Sequence, residues 1–384
     1  MKKTILILLF VGMFSAAYPQ AKESFAVQSA KNLSDLPIKD IVKGRFGGNL
    51  AIGIANQWRL NESLSGEIAR REFDYITPTN DFKQSYVHPD FDTWRWAFPD
   101  NWIKYAAANN IRLRMHGPIS PQCSRWAMDD SRTPAELSRM MEEYMTQLCI
   151  HYGNCPEIGW MDVVNETIVA EKQFDSLNGM LHQGDWFGPR AGDSVWQNPW
   201  TVIGFDENSA LRVPLYIDKA FEIADKYAPK LKKIINQDGR FEEKVWEKMK
   251  QLVVYLRVKG HTVDGLGWQA HIETGWELVP GNLERLDNFI TWCHKNRLEF
   301  HITEMNVWIK DGDVSKEKQQ AGTYGAIFST LLKHTRDGKV RVNFWSVRDV
   351  DNYEPEWMGC LWRNDGSPRP AYDRIKKELI DFRP

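Results

Sequence analysis

The order of elements along the chain predicts a (β/α)8 TIM barrel with extended βα loops. Three observations carry that expectation. Eight short apolar segments, most of them rich in β-branched residues, alternate strictly with segments of helical periodicity. Such alternation implies a parallel sheet, and eight units of this size close a barrel. The chain has 384 residues, more than the ~250 that such a barrel needs, and the surplus falls in two strand-to-helix connections, 167–206 and 347–367. The alternative, a doubly wound open sheet, usually brings a Gly-rich phosphate turn after its first strand, and Phe46-Gly47-Gly48-Asn49 lacks that spacing.

The N-terminus is read first. Lys2 and Lys3 precede an apolar run over 5–14, and Ser15-Ala16-Ala17 offers small residues for cleavage. Residues 1–20 therefore read as a signal peptide, too short for a membrane span, and imply export to the periplasm or beyond the cell. Residues 21–44 read as a polar leader and 45–384 as one catalytic domain. Within it, strands are expected at 46–54, 73–77, 111–116 and 159–166, with helices over 57–71, 102–108 and 133–152. Thr133-Pro134-Ala135-Glu136 is a strong helix start, with a Thr cap, proline at the first position and glutamate three after the cap. Strands five to eight are expected at 233–236, 263–269, 298–304 and 340–347. The intervening helices should cover 211–227, 241–259, 282–296 and 316–334, and a last helix 370–382.

Composition narrows the partners. The net charge of −2 argues against a nucleic acid, and no segment after the leader is apolar and long enough for a membrane span. Nine histidines form no H-E-x-x-H cluster, so neither metal nor cofactor is expected. Five cysteines are too few for a disulfide scaffold; Cys149 and Cys155 are the nearest pair, and the odd count leaves at least one thiol. The chain is expected to be a monomer. Seventeen tryptophans suit a large core, and also a cleft in which flat sugar faces stack on rings.

In a barrel, polar residues at the C-terminal ends of strands are site candidates. Glu166 closes the fourth expected strand and Glu304 the seventh. Two carboxylates opening on one mouth form the template for glycoside hydrolysis, one protonating the leaving oxygen while the other attacks the anomeric carbon. An ionised Glu304 should raise the pKa of Glu166 and keep it protonated.

These residues carry a resemblance. Asp162-Val163-Val164-Asn165-Glu166 resembles the acid/base motif of glycoside hydrolase family 10, the retaining endo-β-1,4-xylanases, and Ile302-Thr303-Glu304-Met305 resembles its nucleophile motif. Val263-Asp264-Gly265-Leu266-Gly267-Trp268-Gln269-Ala270-His271 is similar to the family's strand between them, and Phe344-Trp345 with Asp349 to its C-terminal end. The resemblance implies Glu166 as acid/base and Glu304 as nucleophile. It also implies that Asn165 bonds the sugar 2-hydroxyl, that His271 keeps Glu304 ionised and that Gln269 lines the site. Asn80, Lys83, His116, Trp345 and Tyr353 complete the expected sugar contacts. Departures cluster at those contacts. Thr79 stands where the family has Glu, Ser120 and Pro121 where it has Trp and His, Tyr353 where it has Trp, and Asn306 where it has Asp. A xylan-type β-glycan is thus the expected substrate, with altered subsites in which loop tryptophans Trp186, Trp196 and Trp200 take part. The rivals are a related barrel specific for another β-glycan, and an inactive carbohydrate-binding protein.

Overall fold

The computed structural model describes residues 33–169, 186–188 and 198–383. Eight parallel strands close on themselves: β1 Leu50–Asn56, β2 Tyr75–Pro78, β3 Arg112–Met115, β4 Ile158–Asn165, β5 Lys232–Gln237, β6 Gly265–Trp268, β7 Glu299–Trp308 and β8 Val340–Phe344. Each pairs with its neighbour in sequence. The ring shuts where Leu50 of β1 lies opposite Val340 of β8. A short strand, His271–Glu273, pairs with the second half of β7. The expected signal peptide, residues 21–32 of the leader and Trp196 lie outside the described residues.

The helices are α1 Ile38–Phe46, α2 Leu64–Glu72, α3 Ala97–Asn109, α4 Pro134–Tyr152, α5 Leu215–Tyr227, α6 Glu243–Val258, α7 Asn282–Lys295, α8 Glu317–His334 and α9 Pro370–Asp381. The predicted start of α4 is present as a complete capping box: Glu136 N donates to Thr133 Oγ1 at 3.3 Å, and Thr133 N donates to Glu136 Oε2 at 2.8 Å.

One local expectation needs correction. The stretch read as the end of a polar leader is helix α1, whose Ile38, Ile41, Val42 and Phe46 are all buried. That spacing is the apolar stripe of a helix, and Phe46, expected to open β1, ends α1 just before a left-handed Gly47. All five cysteines are free, the nearest pair Cys149 and Cys155 included.

Irregularities gather at the mouth. The pairing of β4 with β5 slips between Asp162 and Val164, and that of β7 with β8 between Ile302 and Met305. Bulges re-aim side chains beside sites, and these two immediately precede or enclose the candidate glutamates. Gly267 on β6 makes room for the same region. A Cβ there would stand 2.7 Å from the Thr303 side chain and 2.8 Å from Asn236 Oδ1.

Candidate active site

The chain leaves β4 through Asn165, whose N–H donates to Ile119 O at 2.9 Å, and Glu166, whose N–H donates to Asn236 O at 3.0 Å. Glu166 has φ +54°, a left-handed backbone uncommon outside glycine. The turn is fastened by Gln237, whose side-chain oxygen accepts from the N–H groups of Thr167 at 3.1 Å and Ile168 at 3.0 Å. Ala270 after β6 and Ser346 after β8 also have positive φ, +60° and +75°. Strain of this kind concentrates where a site overrides local preference.

Asn236, at the end of β5, joins the two glutamate strands. Its Nδ2 donates to Asn165 Oδ1 at 2.7 Å and to Glu304 Oε1 at 2.8 Å, while its own Oδ1 accepts from Thr303 Oγ1 at 2.6 Å. Gln269 makes a second bridge: Nε2 donates to Glu166 Oε1 at 2.9 Å and to Asn165 Oδ1 at 3.2 Å. Glu304 Oε2 lies 3.5 Å from His271 Nε2, and its Oε1 lies 3.8 Å from His116 Nδ1. His116 Nδ1 is in turn 3.0 Å from Asp162 Oδ2, and Asp162 is paired with the buried Arg114.

A cavity of about 590 Å³ opens over this network. Glu166, Glu304, His116, Gln269 and His271 line it, and Asn80, Lys83, Trp345 and Tyr353 form further walls. Asn165 lies just beneath, 3 % exposed. The two glutamates and the eight sugar-contacting residues expected with them are therefore at or under one cavity. Lys83 is buried against Gln122, its side chain hydrogen-bonded to that amide oxygen.

The two glutamates titrate in opposite directions. Burial raises the pKa of Glu166, and the nearby charges of Asp238 and Glu304 raise it further. Glu304 is buried too, but His116, His271 and Lys83 outweigh that cost and hold it down to about 2. One carboxyl is thus shifted toward its protonated form and the other toward its ionised form, the pairing that acid-plus-nucleophile chemistry requires. Burial opposes the charged form of His271, but Glu304, Asp238 and Glu166 raise its pKa overall.

Sequence reading missed several groups. Asp238, two residues past Asn236, lines the cavity as a further carboxylate and raises the pKa of Glu166 more than Glu304 does. The rule that found Glu166, a polar residue at a strand's C-terminal end, applies equally to Asp238. Gln122 lines the wall where Ser120 and Pro121 do not. Ser120 is buried, its carbonyl accepting from Trp200 Nε1 at 3.1 Å. Trp186 and Trp200, expected in the cleft, are completely buried core, and it is the neighbouring Phe187 that lines the cavity. Their large apolar rings find more contact under the loop than in the open mouth. Asn306 is also outside the cavity; its Nδ2 donates to Trp345 O at 2.9 Å and holds that wall. Its Oδ1 and His271 Nδ1 are both buried with no hydrogen-bond partner among the described residues.

The profile of Glycosyl hydrolase family 10 matches residues 38–378. The chain belongs to glycosyl hydrolase family 10. Endo-1,4-beta-xylanase B of Thermotoga neapolitana is 27% identical over 354 residues, covering 87% of this chain and 89% of that protein. Endo-1,4-beta-xylanase A of Caldicellulosiruptor sp. (strain Rt8B.4) is 27% identical over 348 residues, 85% of this chain. This chain spans only 46% of that relative's length. In fold, the chain is similar to xylanase 10B of Thermotoga petrophila, solved with xylobiose, at a TM-score of 0.71 and 22% identity over 90% of this chain and 97% of that one.

Proposed function

We propose that this family 10 protein hydrolyses a β-linked glycan of the xylan type with retention of configuration, by double displacement. The observation that carries the reading is the opposed titration of Glu166 and Glu304 within one cavity. Neutral Glu166 gives its proton to the glycosidic oxygen as that C–O bond breaks, and ionised Glu304 forms a bond to the anomeric carbon. Water then attacks this glycosyl-enzyme, passing a proton to Glu166, now the base, and releasing Glu304.

The remaining groups take roles that follow from their bonds. The oxygen of Asn165 is committed to Asn236 and Gln269, so its amide N–H is the group offered to the sugar 2-hydroxyl. His271 and His116 keep Glu304 ionised. Gln269 orients Glu166. Lys83 and Asn80 donate to hydroxyls on the glycone side, and Trp345 and Tyr353 stack on sugar faces. The names of the xylanase relatives and the xylobiose complex of the Thermotoga petrophila enzyme support a xylan-type chain as substrate. Thr79, Ser120, Pro121, Tyr353 and Asn306 alter the contacts around it, so preference among β-glycans shifts away from plain xylan. The protein works after export, as residues 1–20 suggest.

Reducing-end release from xylans, mixed-linkage glucan and decorated polysaccharides tests the activity, with Glu166→Ala and Glu304→Ala as controls. Wild-type release no greater than that of both variants on every glycan would leave only a binding role. Proton NMR of the first-formed product tests retention: an anomer opposite to the substrate linkage sinks it. Plain xylan as the best substrate would overturn the altered preference. Export is checked by N-terminal sequencing of the protein recovered from its native compartment; an intact Met1-Lys2-Lys3 terminus contradicts it.

A further inference from the structure

Beside the catalytic cavity lies a second hollow of about 370 Å³, formed by the segment after β5, the turn after the short strand His271–Glu273 and the start of α7. Arg240 and Glu242 line both spaces. On its far side the smaller hollow has the apolar Trp276 and Val279 together with the polar Thr274 and Arg285.

The segment that divides the two spaces is strained. Gly239 has φ +121° and Phe241 φ +77°, a conformation costly for an aromatic residue. Core packing holds it there. The Phe241 ring stacks on Trp246 at 4.8 Å and meets Trp268 edge-on at 4.9 Å. With Phe241 turned into the core, its neighbours Arg240 and Glu242 face the two hollows. Helix α6 consequently starts at Glu243, two residues later than its sequence suggests.

The polar groups here are unequally satisfied. Arg240 Nη2 lies 3.2 Å from Glu273 Oε1, which also holds Lys310 Nζ at 3.1 Å. Glu242 Oε2 accepts from Arg240 N at 2.7 Å, but Glu242 Oε1 is buried with no hydrogen-bond partner among the described residues. Arg285 Nη2 donates to Asn282 Oδ1 at 2.5 Å, while Arg285 Nε is likewise buried without one. One acceptor and one donor are thus withdrawn from water at the same hollow. Buried polar groups left so call for an explanation, and a bound polar molecule is one. A hydroxyl can donate to the first and accept from the second, and a sugar ring carries several hydroxyls beside a C–H face that suits Trp276. The two arginines of the lining, Arg240 and Arg285, are balanced by the carboxylates of Glu242 and Glu273, so the hollow offers an acidic sugar no net positive charge.

We propose that this hollow is a subsite for a neutral sugar substituent branching from the β-linked chain held in the catalytic cavity, with Glu242 and Arg285 bonding its hydroxyls. This rests on the reading of the main cavity as a glycan cleft. Arg240, shared by both spaces, sits where backbone sugar and branch join. The subsite makes a decorated chain, rather than a bare one, the better substrate.

The test compares three defined β-1,4-xylo-oligosaccharides: bare, carrying one neutral pentose branch, and carrying one uronic acid branch. For the wild-type protein, kcat/KM on the pentose-branched chain should exceed that on the bare chain about tenfold. In Arg285→Ala, and in Val279→Trp, which fills the hollow from a half-exposed position, that ratio should fall to about one. An unchanged ratio in both variants overturns the subsite, and so does a larger preference for the uronic acid branch. If the wild type cleaves none of the three, the hydrolase reading fails separately. Calorimetric binding to Glu304→Ala then decides the subsite: tenfold tighter binding of the pentose-branched chain supports it, and equal binding of branched and bare chains overturns it.

Discussion

Strand β7 carries two buried glutamates five residues apart, and they teach different things. Glu299, at its start, accepts from Arg341 Nε and Trp160 Nε1, each at 3.1 Å, and lies 3.5 Å from His301 Nε2. These partners overcome the cost of burial and hold its pKa well below the usual carboxylate range. Glu304 is also held low, by His116, His271 and Lys83. A depressed pKa therefore does not mark a site. What separates the two is that Glu304 opens on a cavity shared with Glu166 and Asp238, whereas Glu299, at the other end of the strand, faces Arg341, Trp160 and His301.

Exchanging the two glutamates' fates is the sharpest way to break this contrast. Glu304→Ala should lower kcat/KM by roughly 10⁴-fold or more, as loss of a covalent nucleophile does. A fall of less than tenfold would place the nucleophile elsewhere. Glu166→Gln comes next, at ~10²–10⁴-fold, the range of a lost general acid. The loss should shrink on an aryl glycoside whose leaving group needs no proton; an equal loss on both substrates would contradict the acid role.

Glu299→Ala should do the reverse. Removing one partner of a buried charge network costs about 3–5 kcal/mol of stability, read from urea unfolding, while activity per folded molecule is kept. Activity lost without destabilisation would erase the distinction between the two ends of β7.

The smallest effect concerns pH. Asp238 raises the pKa of Glu166, so Asp238→Asn should move the alkaline limb of the kcat/KM profile to lower pH. An unmoved limb would show that Asp238 is uncoupled from the acid. For stability the sign follows from Glu304, whose folded pKa of about 2 lies below the ~4.3 of an unperturbed glutamate. Its contribution is complete above pH ~4.3 and is lost as pH falls through 2. Acid unfolding of Glu304→Gln should lack that component.

Much of the fold was legible because apolar periodicity is a local property. All eight strands fall within a few residues of their expected places, and the Thr133 capping box starts α4 at the predicted residue. The error at α1 was one of reading, since Ile38, Ile41, Val42 and Phe46 already carry a helical stripe. The candidate site was legible where a strand ends on a carboxylate, as at Glu166, and where the family motif could be laid over the chain. It was not legible at Gln122, Arg240 or Glu242, which stand in loops whose course depends on core packing elsewhere. Trp186 and Trp200 fail for the same reason: an aromatic side chain in a long loop reads alike whether it faces a cleft or lies under it.

The sequence by itself determined the barrel, the family and the two glutamates, because alternation and strand endings depend on near neighbours. Only the tertiary structure added Asp238 to the groups around those glutamates and decided which charges shift each of them. Asp238, His116 and Lys83 reach Glu166 and Glu304 from other strands, and charges act through space rather than along the chain. The same holds for the strained turn at Phe241, where packing against Trp246 and Trp268 overrides local preference and shapes the wall between two cavities.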